Sequence, residues 1–137
     1  MTKHKTTTQN IDIQHLTAML NCIAEGVFTV DAQKRITFFN WAAERITGFS
    51  AEEAIGQPCC DIFRADVCGE HCIQEEVSKG NRTVTERRVH IVSRNGRTVT
   101  VSVNAAALKD ASGHYIGGIE TFRDVTTEEE LRRQIEK

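Results

Sequence analysis

With 137 residues, of which 39% are hydrophobic and 26% are charged, the chain has the composition of one globular domain that buries a core. The formal net charge of −2 gives no attraction to nucleic acid or to an anionic membrane, so direct nucleic-acid binding is not expected. No apolar run reaches the roughly 18 residues that cross a bilayer, and the polar start MTKHKTTTQN lacks the apolar centre of a signal peptide. We therefore predict a cytoplasmic protein that does not span a membrane.

The first half of the chain alternates helical and strand-like segments. Residues 1–10 are expected to form a disordered leader, and apolar residues spaced by three and four predict a helix over residues 11–24. Residues 27–30 and 36–39 are rich in β-branched and aromatic side chains and predict a hairpin. Two short helices with polar N-cap residues should follow, the first beginning at Trp41.

The second half is dominated by long strands. A helix is expected over residues 73–79, followed by strands over 83–93, 97–108 and 114–125. The Asn95-Gly96 pair between the first two of these strands is a strong signal for a tight hairpin turn. Together the segments predict an α+β fold, with one five-stranded antiparallel sheet and short helices packed on one face.

Four of the five cysteines lie close together in the sequence, at Cys59, Cys60, Cys68 and Cys72. If Cys68 and Cys72 are on a helix, they share one face. Four thiolates would hold zinc or an iron–sulfur cluster, and His71 is a weaker candidate ligand. The C-C-x7-C-x3-C spacing lacks paired C-x2-C knuckles, however. Metal or cluster binding, a thiol–disulfide switch and plain burial as small hydrophobic residues therefore all stay open.

Several other side chains are expected in the core. Cys22 lies on the apolar face of the predicted first helix. The large aromatic residues within or beside predicted elements are Phe38, Phe39, Trp41 and Phe63. No nucleophile–base motif and no phosphate-binding G-x-x-x-x-G-K-[ST] motif occurs in the chain. We therefore predict that this domain is not itself an enzyme.

Two blocks of the sequence resemble the PAS family of sensory domains. They are AEGVFTVDAQKRITFFNWAAERITGFSAEEAIGQP and NGRTVTVSVNAAALKDASGHYIGGIETFRDVT, and the resemblance covers about residues 15–137. It implies a PAS fold over residues 11–125, with flanking N- and C-terminal helices, and the start of a signalling helix over 126–137. The second block ends in the family's Asp-x-Thr motif, which implies that Asp124 and Thr126 transmit the signal.

The cysteine segment PCCDIFRADVCGEHC, with GGIETFRDVT after it, resembles more narrowly the N-terminal PAS domain of bacterial sigma-54-dependent transcription activators. This implies a homodimer that detects a small ligand or a redox or metal state, and an output domain in the same chain. A sensor histidine kinase and a ligand-free dimerisation module with structural cysteines are the alternatives. Haem and flavin are disfavoured, because His71 is the only histidine near the later helix and the light-sensing Asn-Cys-Arg motif is missing.

Overall fold

The computed structural model describes residues 12–69, 72–80 and 83–136. The predicted leader, residues 1–10, lies outside this part of the chain, and so does His71. In chain order the elements are α1 Ile13–Asn21, β1 Gly26–Asp31, β2 Ile36–Phe39, α2 Trp41–Thr47, α3 Ala51–Ala54, α4 Cys59–Phe63, α5 Ile73–Gly80, β3 Val84–Val92, β4 Thr98–Lys109, β5 Tyr115–Asp124 and α6 Thr126–Glu136.

The five strands form one sheet in the order β2-β1-β5-β4-β3, and every neighbouring pair is antiparallel. The last strand, β5, is therefore central and separates the hairpin β1–β2 from the hairpin β3–β4. Helices α2, α4 and α5 pack on the face of the sheet that holds the core. The α+β fold and the five-stranded antiparallel sheet that the sequence predicts are confirmed.

A cluster of aromatic rings fills the centre of the core. Phe28 on β1 has its ring centroid 5.4 Å from that of Phe63 on α4 and 6.0 Å from that of Phe122 on β5. Such pairs add about 0.5–1.5 kcal/mol beyond the burial of their area. Phe39 and Phe63 are buried as predicted, but Phe38 is only half-buried and Trp41 is 60% exposed. The prediction for Trp41 was wrong because the buried face of α2 is made by its small residues.

Helix α1 is shorter and more exposed than its sequence pattern indicates. It spans Ile13–Asn21 and so ends three residues before the predicted end at residue 24, and its apolar side chains Leu16 and Met19 are 48% and 49% exposed. Cys22, predicted to be buried with them, is exposed as well. The amphipathic pattern correctly predicts a helix, but no other described segment of this chain covers its apolar face.

Asn40 ties three segments together although its side chain is fully buried. Its Oδ1 accepts hydrogen bonds from the backbone N–H of Ala43, as an N-cap of α2, and of Val27 on β1, at 2.9 and 2.8 Å. Its Nδ2 donates to the carbonyl oxygens of Leu20 and Glu25, at 3.1 and 3.0 Å. A side chain predicted only as a helix cap thus also fixes the end of α1 against the sheet.

The described helices are all too short or too polar to cross a lipid bilayer.

Candidate functional site

A small cavity of about 20 Å³ lies between the sheet and helices α4 and α5. It is lined by all four clustered cysteines, two aromatic rings, three aliphatic side chains and a polar pair: Cys59, Cys60, Cys68, Cys72, Phe28, Phe63, Ala65, Val67, Ile73, Gln74 and Glu120. This volume takes about one water molecule. The fold therefore brings together the four cysteines that the sequence predicts as one site. We call this space the cysteine-lined cavity.

The loop of residues 64–69 closes one side of the cavity because it is docked on β3. Arg64 ends α4 in the left-handed conformation, at φ 49°, and its guanidinium donates to the carbonyl oxygens of Val92 and Ser93, at 3.2 and 2.6 Å. Ala65 then forms an isolated β-bridge with Ile91. These contacts with the end of a core strand hold the loop, and the cysteine it carries, over the cavity.

The elements that carry the cysteines to the cavity differ from those that the sequence predicts. Cys59 and Cys60 begin α4, but Cys68 lies in a turn, and Cys72 directly precedes α5. The argument that Cys68 and Cys72 share a helix face was therefore wrong. Both nevertheless line the cavity, Cys68 from the loop that is docked on β3 and Cys72 from the position before α5.

All four cavity cysteines are free thiols. Burial raises the pKa of Cys59 far above its usual range, and burial together with a side-chain hydrogen bond with Cys60 raises the pKa of Cys68 to about 12. Thiols with raised pKa are weak nucleophiles at neutral pH, and a metal would have to displace their protons.

No group of three or more His, Cys, Asp or Glu side chains is placed to hold one metal ion within residues 12–69, 72–80 and 83–136. The ligand set of Cys59, Cys60, Cys68 and Cys72 therefore stays a prediction. His71, the weaker candidate, lies outside these ranges.

A buried polar pair at the cavity was not predicted from the sequence. Glu120 on β5 is only 3% exposed, and its Oε2 accepts a hydrogen bond from Nε2 of Gln74 on α5, at 2.7 Å. In the part of the chain that the structure describes, the Oε1 atoms of both residues have no hydrogen-bond partner. Burial raises the pKa of Glu120 to about 7, and the hydrogen bond from Gln74 opposes that rise.

Gly118 makes room for this pair. A Cβ atom at Gly118 would lie 1.9 Å from Oε1 of Gln74, so only glycine lets the amide rest on the strand. Gly118, Glu120 and Phe122 alternate along β5 and face the same side of the sheet. This period of two was the signal in the sequence that could have identified Glu120 as a buried carboxylate.

The junction, residues 124–126, connects β5 directly to α6. Oδ1 of Asp124 accepts a hydrogen bond from the backbone N–H of Thr126, at 2.9 Å. Oγ1 of Thr126 accepts from the N–H of Thr100 on β4, at 3.0 Å, and the N–H of Val125 donates to the carbonyl oxygen of Thr100, at 2.8 Å. The junction thus fixes the first turn of α6 to the strand beside β5.

The cavity and the junction share a single strand. Glu120 lies opposite Phe28 on β1 and Ala105 on β4, and Asp124 lies opposite Val101 further along β4. A displacement of β5 at Glu120 is therefore only four residues from Asp124 and six from the start of α6 at Thr126.

Comparison with known proteins identifies the family. The model of the PAS domain family matches residues 24–127. The probable diguanylate cyclase DgcE of Escherichia coli (strain K12) is 28% identical over 123 residues, which are 88% of this chain and 11% of that protein. The signal transduction histidine-protein kinase AtoS of the same organism is 30% identical over 112 residues, which are 82% of this chain and 18% of that protein.

A solved structure shares the fold. The crystal structure of a PAS domain from Colwellia psychrerythraea matches with a TM-score of 0.73 at 20% identity, over 85% of this chain and 99% of that one. The chain spans less than a fifth of the length of the two relatives. Neither relative is named as a sigma-54-dependent activator, so the narrower resemblance stays a prediction, while the broader one is confirmed. The chain belongs to the PAS domain family.

Proposed function

We propose that this PAS domain is the cytoplasmic sensory and dimerisation domain of a bacterial signal-transduction protein. In this proposal the state of the cysteine-lined cavity passes through β5 and the junction to α6, and from there to an output domain. A PAS domain is a sensory module and not itself catalytic, so any catalytic step belongs to the output domain.

The observation that carries this proposal is the shared strand. Glu120 lines the cavity and Asp124 caps the junction on the same strand, β5. Beyond the junction, Arg88 on β3 forms an ion pair with Glu129 on α6, which adds a second anchor for the helix. A change at the cavity that favours one position of β5 would shift the balance between docked and released α6, by a few kcal/mol at most.

The output domain is proposed from likeness alone. The resemblance of the cysteine segment supports a sigma-54-dependent transcription activator, which was the first interpretation of the sequence. The histidine kinase is the second candidate, and the relative AtoS, a histidine-protein kinase by name, favours it. A diguanylate cyclase is a further output, supported by the relative DgcE.

What the cavity detects is proposed from its cysteines. Four thiols around one space support a metal or redox signal, through the same residues Cys59, Cys60, Cys68 and Cys72. A small-molecule ligand is the alternative. A ligand-free dimerisation module would need no response at the cavity at all.

Hydrogen exchange tests the coupling between the cavity and α6 without knowledge of the ligand. Cys60→Leu adds volume at the cavity, and we expect it to change the protection of the first-turn amides of α6 by at least about threefold. Cys22→Leu is the matched control, because it makes the same substitution at an exposed cysteine outside the cavity. Equal and unchanged protection in both folded variants would refute the coupling.

A second variant tests the junction itself. Asp124→Ala removes the side-chain acceptor of the Thr126 N–H, so the first turn of α6 should exchange about five to ten times faster, which is the loss expected for one helix cap. The sheet amides should keep their protection. In the double variant with Cys60→Leu, the effect of the cavity on α6 should be lost. If that effect persists, the signal does not travel through Asp124.

A further inference from the structure

We propose that a cleft between the end of α2 and the turn from β3 to β4 binds a phosphate dianion, either free phosphate or the phosphate group of a small ester. The cleft has a volume of about 480 Å³, and its lining includes Arg45 and Ile46 on α2 and Arg94, Asn95 and Arg97 in the turn. None of the described residues that line it also lines the cysteine-lined cavity. This second site therefore goes beyond the proposed sensory function. We call it the arginine cleft.

Guanidinium groups dominate the charge of the arginine cleft. Three arginines line it, and no Asp or Glu is among its described lining residues. Arg94 is neutralised by Glu53 on α3, whose carboxylate it binds through two contacts at 2.9 and 2.8 Å. In the part of the chain that the structure describes, Arg45 and Arg97 form no ion pair. A concave surface with two unpaired charges of one sign attracts the opposite charge, here an anion.

Asn95 adds a neutral hydrogen-bond donor to the arginine cleft. Its Oδ1 accepts hydrogen bonds from the hydroxyl of Ser93 and from the backbone N–H of Arg97, the second at 3.2 Å. The amide oxygen is thus used within the turn, whereas Nδ2 has no hydrogen-bond partner among the described residues. Amide and guanidinium N–H groups are donors that phosphate oxygens accept.

The arginine cleft is preformed because the turn is bonded to the end of α2. The backbone N–H of Arg94 donates to the carbonyl oxygen of Thr47, the last residue of α2, and the N–H of Gly48 donates to that of Glu44, both at 2.8 Å. These bonds satisfy two carbonyl groups at the helix end, whose partial negative charge would otherwise oppose an anion. A ligand meets segments that are already in place, which lowers the entropic cost of binding.

The charge and the volume of the arginine cleft select the class of anion. Two unpaired guanidinium groups match a phosphate monoester, which carries a charge of about −1.5 to −2 at pH 7 and presents three acceptor oxygens. A carboxylate offers one charge and two oxygens and matches less well. The volume lies in the range of roughly 300–1,000 Å³ that is typical of small-molecule sites, so there is room for an organic group beside the half-buried Ile46.

NMR titration of the intact, reduced protein at constant ionic strength tests the proposal, with inorganic phosphate, glucose 6-phosphate and glucose as probes. We expect saturable shifts of the Gly48, Gly96 and Arg97 amide signals with both phosphates at concentrations up to about 10 mM, and no shifts with glucose. If glucose 6-phosphate binds at least about threefold more tightly than inorganic phosphate, the ligand is an ester. Equal affinities would support free phosphate.

Variants assign the binding to the arginine cleft. Arg45→Gln and Arg97→Gln each remove one unpaired charge and should weaken binding at least about tenfold. Asn95→Asp keeps the oxygen that the turn uses, and Asp-Gly is as favourable as Asn-Gly in a hairpin turn. It replaces the donor with a negative charge, so it should weaken binding at least as much. Arg133→Gln removes an exposed arginine on α6 and should bind like the unchanged protein.

Three outcomes would overturn the proposal. The folded protein could show no saturable shift with either phosphate. The folded Arg45→Gln and Arg97→Gln variants could bind phosphate as tightly as Arg133→Gln does, which would place the binding elsewhere. A hexaglutamate peptide could shift the same amide signals at a lower concentration than either phosphate, which would make the arginine cleft a docking surface for acidic protein segments.

Discussion

At the scale of single residues, Asn40 should contribute more to the stability of the fold than its position at a helix start indicates. Asn40→Ala should lower the free energy of unfolding by about 2–4 kcal/mol, because it removes a cap worth about 1 kcal/mol and leaves buried backbone groups unpaired at about 1–3 kcal/mol. Ser50→Ala removes a cap at the surface of α3 and should cost only about 1 kcal/mol. Urea denaturation measures both, and equal losses would show that the buried contacts of Asn40 contribute little.

The cysteines differ at the same scale in how readily they react. Cys22 is exposed, whereas burial raises the pKa of Cys59 and of Cys68. In the reduced protein, iodoacetamide at neutral pH should therefore modify Cys22 first and Cys59 at least about a hundredfold more slowly. Peptide mass spectrometry over time measures the order. Rapid modification of Cys59 in folded protein would mean that the cavity is open to solvent, in conflict with its small volume.

At the scale of elements, the sequence predicts most of the sheet. The strands around Asn95-Gly96 follow from alternating β-branched residues and a turn that permits few other geometries. The end of α1 and the segment around Cys68 were less predictable. The apolar spacing of α1 continues to Ile23 although the helix ends at Asn21, and the spacing of Cys68 and Cys72 fits a helix as well as a turn. The turn at Cys68 is favoured over a helix by the docking of Arg64 and Ala65 on β3, a contact between distant parts of the chain that local spacing does not show.

The candidate site, like the secondary structure, was predictable from the sequence only in part. The grouping of the four cysteines is predictable because they are near each other along the chain. The sequence does not pair Gln74 with Glu120, which are separated by 46 positions and meet only after α5 packs on β5. Local periodicity can show that Glu120 faces inward. It cannot show which donor it finds, since that depends on how the helix lies on the sheet.

At the scale of the whole molecule, the apolar face of α1 points to self-association. Ile13, Leu16 and Met19 are exposed on one helix, close to the exposed Trp41, whose backbone N–H donates to Oδ1 of Asn21 at the end of α1. A patch of this kind on a small domain commonly marks an interface. We expect the protein to form a homodimer through α1, as proposed for the sensory domain.

Leu16→Glu tests this dimer. The substitution places a charge on the apolar face, and burying that charge without a partner should raise the dimer dissociation constant at least about a hundredfold. Gln14→Glu adds the same charge two positions away, on the opposite side of α1, and should leave the dimer intact. Sedimentation equilibrium over a range of concentrations measures both constants. A monomeric unchanged protein would reject the dimer, and equal weakening by both variants would place the interface away from the apolar face. If only Leu16→Glu abolishes the dimer, the two copies are joined through α1. Asn40 fixes the end of this helix to β1, and β1 is the neighbour of β5 in the sheet. Self-association and the cavity would then act on the same pair of strands.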